Sequence, residues 1–283
     1  MKISNVEKAI VLTEALPYIQ KYKNTTLVVK YGGNAMIDNA FKKTVMGDLV
    51  LLSQIGINIV LVHGGGPEIT ETLEKMNLKS KFVNGLRQTD EKAIDVVQMV
   101  LAGKVNKDLV NIIENLGGKA IGISGIDGHI LEAKKINEEL GFVGDITKVN
   151  AKPITDLLGN GYIPVISSLG CDTKGNIYNI NADTVASRIA GELKAASLII
   201  LTDTKGILKD RNNENSLISE INVSDAAHLI MEGVIEGGMI PKVNCCVEAI
   251  RRGVKRVFIV DGRVPHSILI EMLSDTGIGT MFY

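Results

Sequence analysis

The sequence predicts an α/β fold in which an open, mainly parallel sheet is sandwiched between layers of helices. Two observations carry this prediction. Short runs rich in Val and Ile recur at 26–29, 57–62, 119–123, 162–166, 197–201 and 256–260, and such continuous apolar runs read as buried parallel strands. Between them apolar residues fall at helical spacing, as in Phe41, Val45, Leu49 and Leu52, and in a long stretch over 90–116 that Asp90 could cap. Strands alternating with helices in this way place helices on both faces of the sheet.

Two regions depart from the alternation. Residues 130–149 have the pattern of a β-hairpin, and 171–180 carries a Gly175-Asn176 turn signal between short segments. The chain has no long Pro- or Ser-rich linker and no internal repeat, so any division into lobes falls inside one continuous sheet. We place it near residue 180, giving an N-terminal lobe over 25–180 and a C-terminal lobe over 181–283. Ahead of the first strand, residues 1–24 hold a helical pattern over 6–16 that Pro17 interrupts, because proline lacks a backbone donor and clashes with the preceding turn. A kinked N-terminal helix is expected.

Composition bounds the function. The 283 residues are 45% hydrophobic and 22% charged, enough for a substantial core and unlike a disordered or fibrous chain. Lys and Arg number 31 against 32 Asp and Glu, and the resulting net charge of -1 gives no general attraction for nucleic acid or a membrane surface. A small-molecule partner is the expectation. Apolar runs such as 195–201 fall far short of the roughly 20 residues that span a bilayer, and no signal-peptide pattern is present, so a cytoplasmic location is the default. Cys171, Cys245 and Cys246 form no CxxC or Cys/His arrangement; buried free thiols and no dedicated metal site are expected.

The candidate chemistry lies at strand ends and helix starts. The first strand runs into Lys30-Tyr31-Gly32-Gly33-Asn34, where glycine N–H groups can approach phosphate oxygens and the lysine adds a point charge. The second ends in His63-Gly64-Gly65-Gly66-Pro67 before a helical pattern starting near Glu68, an anion cradle. Neither the GxGxxG nor the GxxxxGK[ST] fingerprint stands here. Arg87, in Asn84-Gly85-Leu86-Arg87-Gln88-Thr89-Asp90, has a planar fork suited to a carboxylate. Asn179-Ile180-Asn181-Ala182-Asp183 supplies two amides and a carboxylate before a helix, which Asp183 could also cap. Further on come Thr202-Asp203-Thr204-Lys205-Gly206 at a strand end and Gly237-Gly238-Met239-Ile240-Pro241-Lys242 at a helix start. In an open α/β sheet, ligands bind at the carboxyl edge of the strands, and the topology would gather these segments there.

Together KYGGNAM, HGGGP, NGLRQTD, NINAD and GGMIPK resemble the amino acid kinase family along essentially the whole chain, and within it the members that phosphorylate N-acetyl-L-glutamate. The resemblance implies that family's open sheet between helix layers, with the acyl amino acid in the N-terminal lobe and ATP in the C-terminal lobe. It implies that Lys30 and Lys242 stabilise the transferring phosphoryl group and that Asp183 holds the two lysines. Gly65, Gly66, Arg87, Asn179 and Asn181 would bind the substrate, with Arg87 on its α-carboxylate. Gly32, Gly33, Asp203 and Gly206 would serve the nucleotide, and Mg2+ would arrive with ATP. The acceptor is an anion at neutral pH and requires no general base.

Arginine-inhibited members of the family combine a kinked N-terminal helix with a C-terminal pattern like HSILIEMLSDTGIGT. That resemblance implies a homo-hexamer built as a trimer of dimers, and an L-arginine site using Tyr18, His266, Glu271 and Gly277. A family member acting on aspartate or unacetylated glutamate, or a non-catalytic arginine sensor, are the alternatives. NGLRQTD argues against the first, and both lysines with Asp183 argue against the second.

Overall fold

In a computed structural model the protein is described over residues 4–36, 38–83 and 85–283. Residues 1–3 of the N-terminal segment and Asn84 of the arginine motif lie outside the described residues. The chain opens with helices α1 (Asn5–Glu14) and α2 (Leu16–Tyr22), separated at Ala15 and bent by 35°. Pro17 sits in the first turn of α2, where its missing N–H costs no helical bond, so the bend falls before the proline. Ser4 and Glu7 close a capping box at the start of α1, yet α1 buries none of its residues, and Val6, Ile10, Val11 and Leu12 are exposed.

The body follows as β1 (Thr26–Tyr31), α3 (Asn39–Gln54), β2 (Asn58–His63), α4 (Gly66–Lys75), β3 (Lys81–Val83), β4 (Leu86–Gln88), α5 (Glu91–Gln98), a π-helical turn (Met99–Val105), α6 (Asn106–Asn115) and β5 (Ala120–Ser124). Then come β6 (Leu131–Lys135), β7 (Gly144–Val149), α7 (Lys152–Gly159), β8 (Ile163–Ser167), β9 (Leu169–Cys171), β10 (Ile177–Asn179), α8 (Ala182–Glu192) and β11 (Ser197–Thr202). The chain closes with β12 (Glu220–Ile221), α9 (Ala226–Met231), α10 (Met239–Arg251), β13 (Arg256–Asp261), α11 (Ser267–Leu273) and β14 (Thr280–Phe282).

All six predicted strands form, and they join in one eight-stranded sheet of order β12-β14-β13-β11-β1-β2-β8-β5. Its pairings are parallel except that of β13 with β14. Alternate side chains of each central strand serve different cores. Leu27, Val29, Ile59, Leu61, Ile199 and Leu201 join a core with α3, α5 and α6, whereas Val28, Val60, Val62, Leu198 and Ile200 join a second core with α8 and α10. That two-faced burial is why the strands read as unbroken apolar runs. The hairpin expected over 130–149 forms as β6–β7, and the turn expected at Gly175-Asn176 joins β9 to β10, each pair antiparallel in a four-stranded sheet beside the main one.

The long helix expected over 90–116 is instead α5, a π turn and α6 in succession. Asp90 caps it as expected, accepting from the Ala93 N–H at 2.8 Å. Periodicity does not separate a π turn from the helix that contains it, because the apolar stripe only rotates there. Among the described residues no helix is long and apolar enough to cross a membrane. Cys171 and Cys246 are buried and Cys245 is half-buried, all three free, and burial pushes the Cys245 thiol up to about 11, which keeps it protonated and unreactive.

Candidate active site

Parallel register brings Tyr31, His63, Ser167 and Ser124 level at one edge of the sheet, with Thr202 level with Asp261 on the other side of β1. These are carboxyl ends of strands, and the predicted motifs converge there. Lys30 shares the face of Val28, so its side chain meets α8 rather than α3. There its ammonium lies 2.9 Å from Asp183 Oδ1, while Lys242, from the first turn of α10, donates to Asp183 Oδ2 at 2.8 Å.

Burial alone would push the Asp183 carboxyl up; the ammonium groups of Lys30 and Lys242 more than offset it and hold it at about 2. One carboxylate thus aligns two cations, and the trio keeps a net positive charge. Asp183 does not cap α8. Asn181 does, its side chain accepting from the N–H of Asp183 at 2.8 Å and of Thr184 at 3.3 Å. The cap fixes Asp183 in the first turn, facing both lysines, and Asn181 also lines the adjoining cavity.

That cavity, of about 690 Å³, is lined by Lys30, Gly32, Gly33, Gly65, Gly66, Arg87, Asn179, Asn181, Asp183 and Lys242, so every residue expected to serve catalysis or the acceptor meets in one place. Arg87 lies in β4, paired with β3 in a two-stranded hairpin. Its guanidinium is buried, stacks 4.7 Å from the centre of the Phe82 ring, and donates to the Gly66 carbonyl at 2.9 Å, to Thr70 Oγ1 at 2.7 Å and to Ser80 Oγ. Among the described residues no carboxylate pairs with it. A buried cation held by neutral groups calls for an anionic ligand. Asn179 Nδ2 reaches Thr89 Oγ1 at 3.3 Å, tying the two substrate segments together.

Thr70, Ser80, Phe82 and Thr89 were not singled out from the sequence. Thr70 had a usable signal, its place one turn beyond Gly66 on a helix that begins at Gly66 rather than near Glu68. Ser80 had none, because its contact depends on the hairpin's docking.

A second cavity of about 530 Å³ adjoins the first. Asp203, Thr204 and Gly206 line it with Ile207, Leu208, Val234, Gly237, Gly238, Met239 and Lys242. Lys242 therefore stands on both cavities. Gly32 and Gly33, expected on the nucleotide side, line the first cavity, beside Lys30.

Tyr18, Glu271 and Gly277 share a third cavity of about 360 Å³, with Asp275 and Glu220. Tyr18 donates to Asp275 Oδ1, and Glu271 Oε2 accepts from the N–H groups of Ile278 at 2.9 Å and Gly279 at 3.1 Å. A Cβ at Gly277 would fall 2.2 Å from Glu271 Oε1, so a larger residue there would displace that carboxylate. His266 lies apart from this group, its Nδ1 2.7 Å from Asp48 Oδ1.

Comparison with known proteins agrees with this geometry. The amino acid kinase family profile matches residues 25–261. A protein named acetylglutamate kinase from Brachyspira hyodysenteriae is 56% identical over 283 residues, 99% of this chain and 98% of its own. One of the same name from Clostridioides difficile is 56% identical over 278 residues, 98% of this chain and 97% of its own. Among solved structures, the N-acetylglutamate synthase from Neisseria gonorrhoeae complexed with coenzyme A and N-acetyl-glutamate superposes with a TM-score of 0.86 at 26% identity, over 99% of this chain and 63% of that one. The carbamate kinase from Giardia lamblia bound to AMP-PNP has the same fold, with a TM-score of 0.65 at 15% identity over 92% of this chain and 98% of its own. The chain is a kinase and belongs to the amino acid kinase family.

Proposed function

We propose that the chain transfers the γ-phosphoryl group of ATP to the side-chain carboxylate of N-acetyl-L-glutamate, giving N-acetyl-L-glutamyl 5-phosphate, the second step of arginine biosynthesis. The observation that carries this reading is Lys242 standing between two cavities and joined through Asp183 to Lys30. One cavity contains the buried Arg87, which has no carboxylate partner among the described residues, and takes the dicarboxylate; the other, with its apolar wall of Ile207, Leu208, Val234 and Met239, takes the nucleotide. The names of the near full-length relatives support the substrate. The C-terminal strands β11, β13, β14 and β12 stand on one side of β1, which suits a nucleotide lobe over 181–283 and an acceptor lobe over 25–180.

The chemistry joins two anions, so its barrier is electrostatic. A carboxylate oxygen attacks the γ-phosphorus as the bridging oxygen leaves, and negative charge spreads over the equatorial oxygens. Lys30 and Lys242 meet that charge from a preoriented position, because Asp183 has already fixed their ammonium groups. The N–H groups of Gly65 and Gly66 add donors, and Arg87 holds the α-carboxylate so that the side-chain carboxylate faces the phosphate. Among the described residues no cluster of three acidic, His or Cys side chains could cage a metal. Mg2+ would be held chiefly by the ATP phosphates and water and would neutralise phosphate charge. An assay of ADP release tests the reading: we expect turnover with N-acetyl-L-glutamate and not with glutamate or aspartate, and turnover with aspartate alone would reject the substrate.

The third cavity, where the carboxylates of Glu220, Glu271 and Asp275 outnumber the cations of Lys21 and Arg256, supports L-arginine as an inhibitor. Its guanidinium would meet Glu271, and Tyr18 would link the site to the N-terminal helix. The exposed apolar side chains Val6, Ile10, Val11 and Leu12 of α1 support its burial against other subunits, in a hexamer built as a trimer of dimers. His266 would take part only if α11 moved. A cytoplasmic location accompanies this pathway.

A further inference from the structure

His63, at the head of the glycine loop, is wholly buried and takes no part in the proposed transfer. Its surroundings fix the ring's proton. Asn106 Nδ2 lies 3.0 Å from His63 Nε2, 2.9 Å from the Val165 carbonyl and 3.2 Å from that of Ile123, while Asn106 Oδ1 receives the Lys107 ammonium at 3.1 Å. Turning this amide over would set its oxygen against two carbonyls, so the nitrogen faces His63. An amide nitrogen only donates; Nε2 therefore carries the lone pair and Nδ1 the hydrogen. Nδ1 lies 2.9 Å from the Gly64 carbonyl and donates to it.

The Gly64 carbonyl and the Gly65 N–H belong to one planar trans peptide and point in opposite directions. Holding the carbonyl towards the buried ring turns the N–H away from it. Among the described residues neither Gly65 nor Gly66 N–H has a hydrogen-bond partner, and both glycines line the acceptor cavity. Leu101 and Val105 of the π turn press on the same loop: a Cβ on Gly65 would come within 2.8 Å of Leu101 Cδ2. The π turn hands over to α6 at Asn106.

Resting on the kinase reading, we propose that Asn106 and His63 are positioning residues that lock the Gly64–Gly65 peptide with its N–H presented to the transferring group. The locked peptide needs a donor at the place of Nδ1 and nothing more, and the two amide side chains separate that requirement from mere filling of the site. Asparagine carries a donor at the Nδ1 position; glutamine reaches past it towards Asn106. H63N should keep kcat within about threefold of the unmodified protein. H63Q should lose about 10²-fold in kcat, the effect of one oxyanion donor, with a smaller change in KM for the acceptor and thermal stability comparable to that of H63N. Folded H63Q with unaltered kcat, or H63N and H63Q impaired alike, would overturn the proposal. A readout independent of the H63 variants is the ring nitrogen spectrum of 15N-histidine protein carrying H129Q, H228Q and H266Q, where His63 is the sole histidine. A neutral ring protonated on Nδ1 at pH 7 is expected; a ring protonated on Nε2, or on both nitrogens, would reject it. If the unmodified protein turns over no acceptor while its ring shows the Nδ1 proton, the kinase reading has failed and the buried lock has not.

Discussion

D183N removes the charge that holds both lysines while keeping the side chain's shape. Each ammonium lies within 2.9 Å of the Asp183 carboxylate, and at an effective dielectric of about 20 that contact is an attraction of ~6 kcal/mol. Desolvation of the three groups consumes most of it, and removing one partner of such a buried set costs about 3–5 kcal/mol. The exposures divide the effect. Lys30, with 8% of its side chain exposed, cannot move to water, whereas Lys242 at 24% can swing outward. We therefore expect part of the cost in stability and the rest in catalysis, with kcat falling about 10²- to 10³-fold. KM for ATP should not rise, because the site becomes more positive by one charge. Initial rates at saturating concentrations of both substrates, beside thermal melts, give both quantities. A folded D183N with kcat within threefold of the unmodified protein would refute the claim that Asp183 preorients the lysines.

R87A should raise KM for the acceptor about 10-fold to 10²-fold with little change in kcat, since its bonds are charge-assisted and equal in ground and transition states; an unchanged KM removes Arg87 from the site. R87K should recover little, because one ammonium cannot serve the Gly66 carbonyl, Thr70, Ser80 and a ligand together. Burial of His63 in its neutral form lowers its pKa to about 4 from an ordinary 6.5. A depressed value means the unfolded chain binds the extra proton between these limits, so stability is intact above pH 6.5 and declines by about 3 kcal/mol as pH falls to 4. H63N should flatten that part of the profile in urea titrations, and an equally steep profile would count against it. Deleting residues 1–24 should convert a hexamer to dimers by light scattering and blunt arginine inhibition, and a surviving hexamer would contradict the assembly proposed.

Much of the fold was legible because the central strands are buried on both faces and flanked by glycine turns. The site was legible as residue types at strand ends: Lys30, Asp183 and Lys242 stand in three distant segments, and only a parallel sheet with its carboxyl ends at one edge brings them together. What sequence did not reveal were choices among chemically equal groups. Asn181 and Asp183 are both good caps two residues apart, and docking against the lysines decides that the amide caps while the carboxylate pairs. The π turn escaped because its apolar stripe resembles that of the helix around it. Arg87's partners Ser80 and Thr70 depend on how the small hairpin settles on α4, which local pattern does not encode.

The central claim is that a carboxylate of N-acetyl-L-glutamate becomes an acyl phosphate. Hydroxylamine traps such a mixed anhydride directly as a hydroxamate, so the most direct measurement is ATP-dependent hydroxamate formation with N-acetyl-L-glutamate, glutamate and aspartate side by side. Hydroxamate is expected from N-acetyl-L-glutamate alone and is lost in D183N. Equal signal from unacetylated glutamate, or none from any of the three acids, would contradict it.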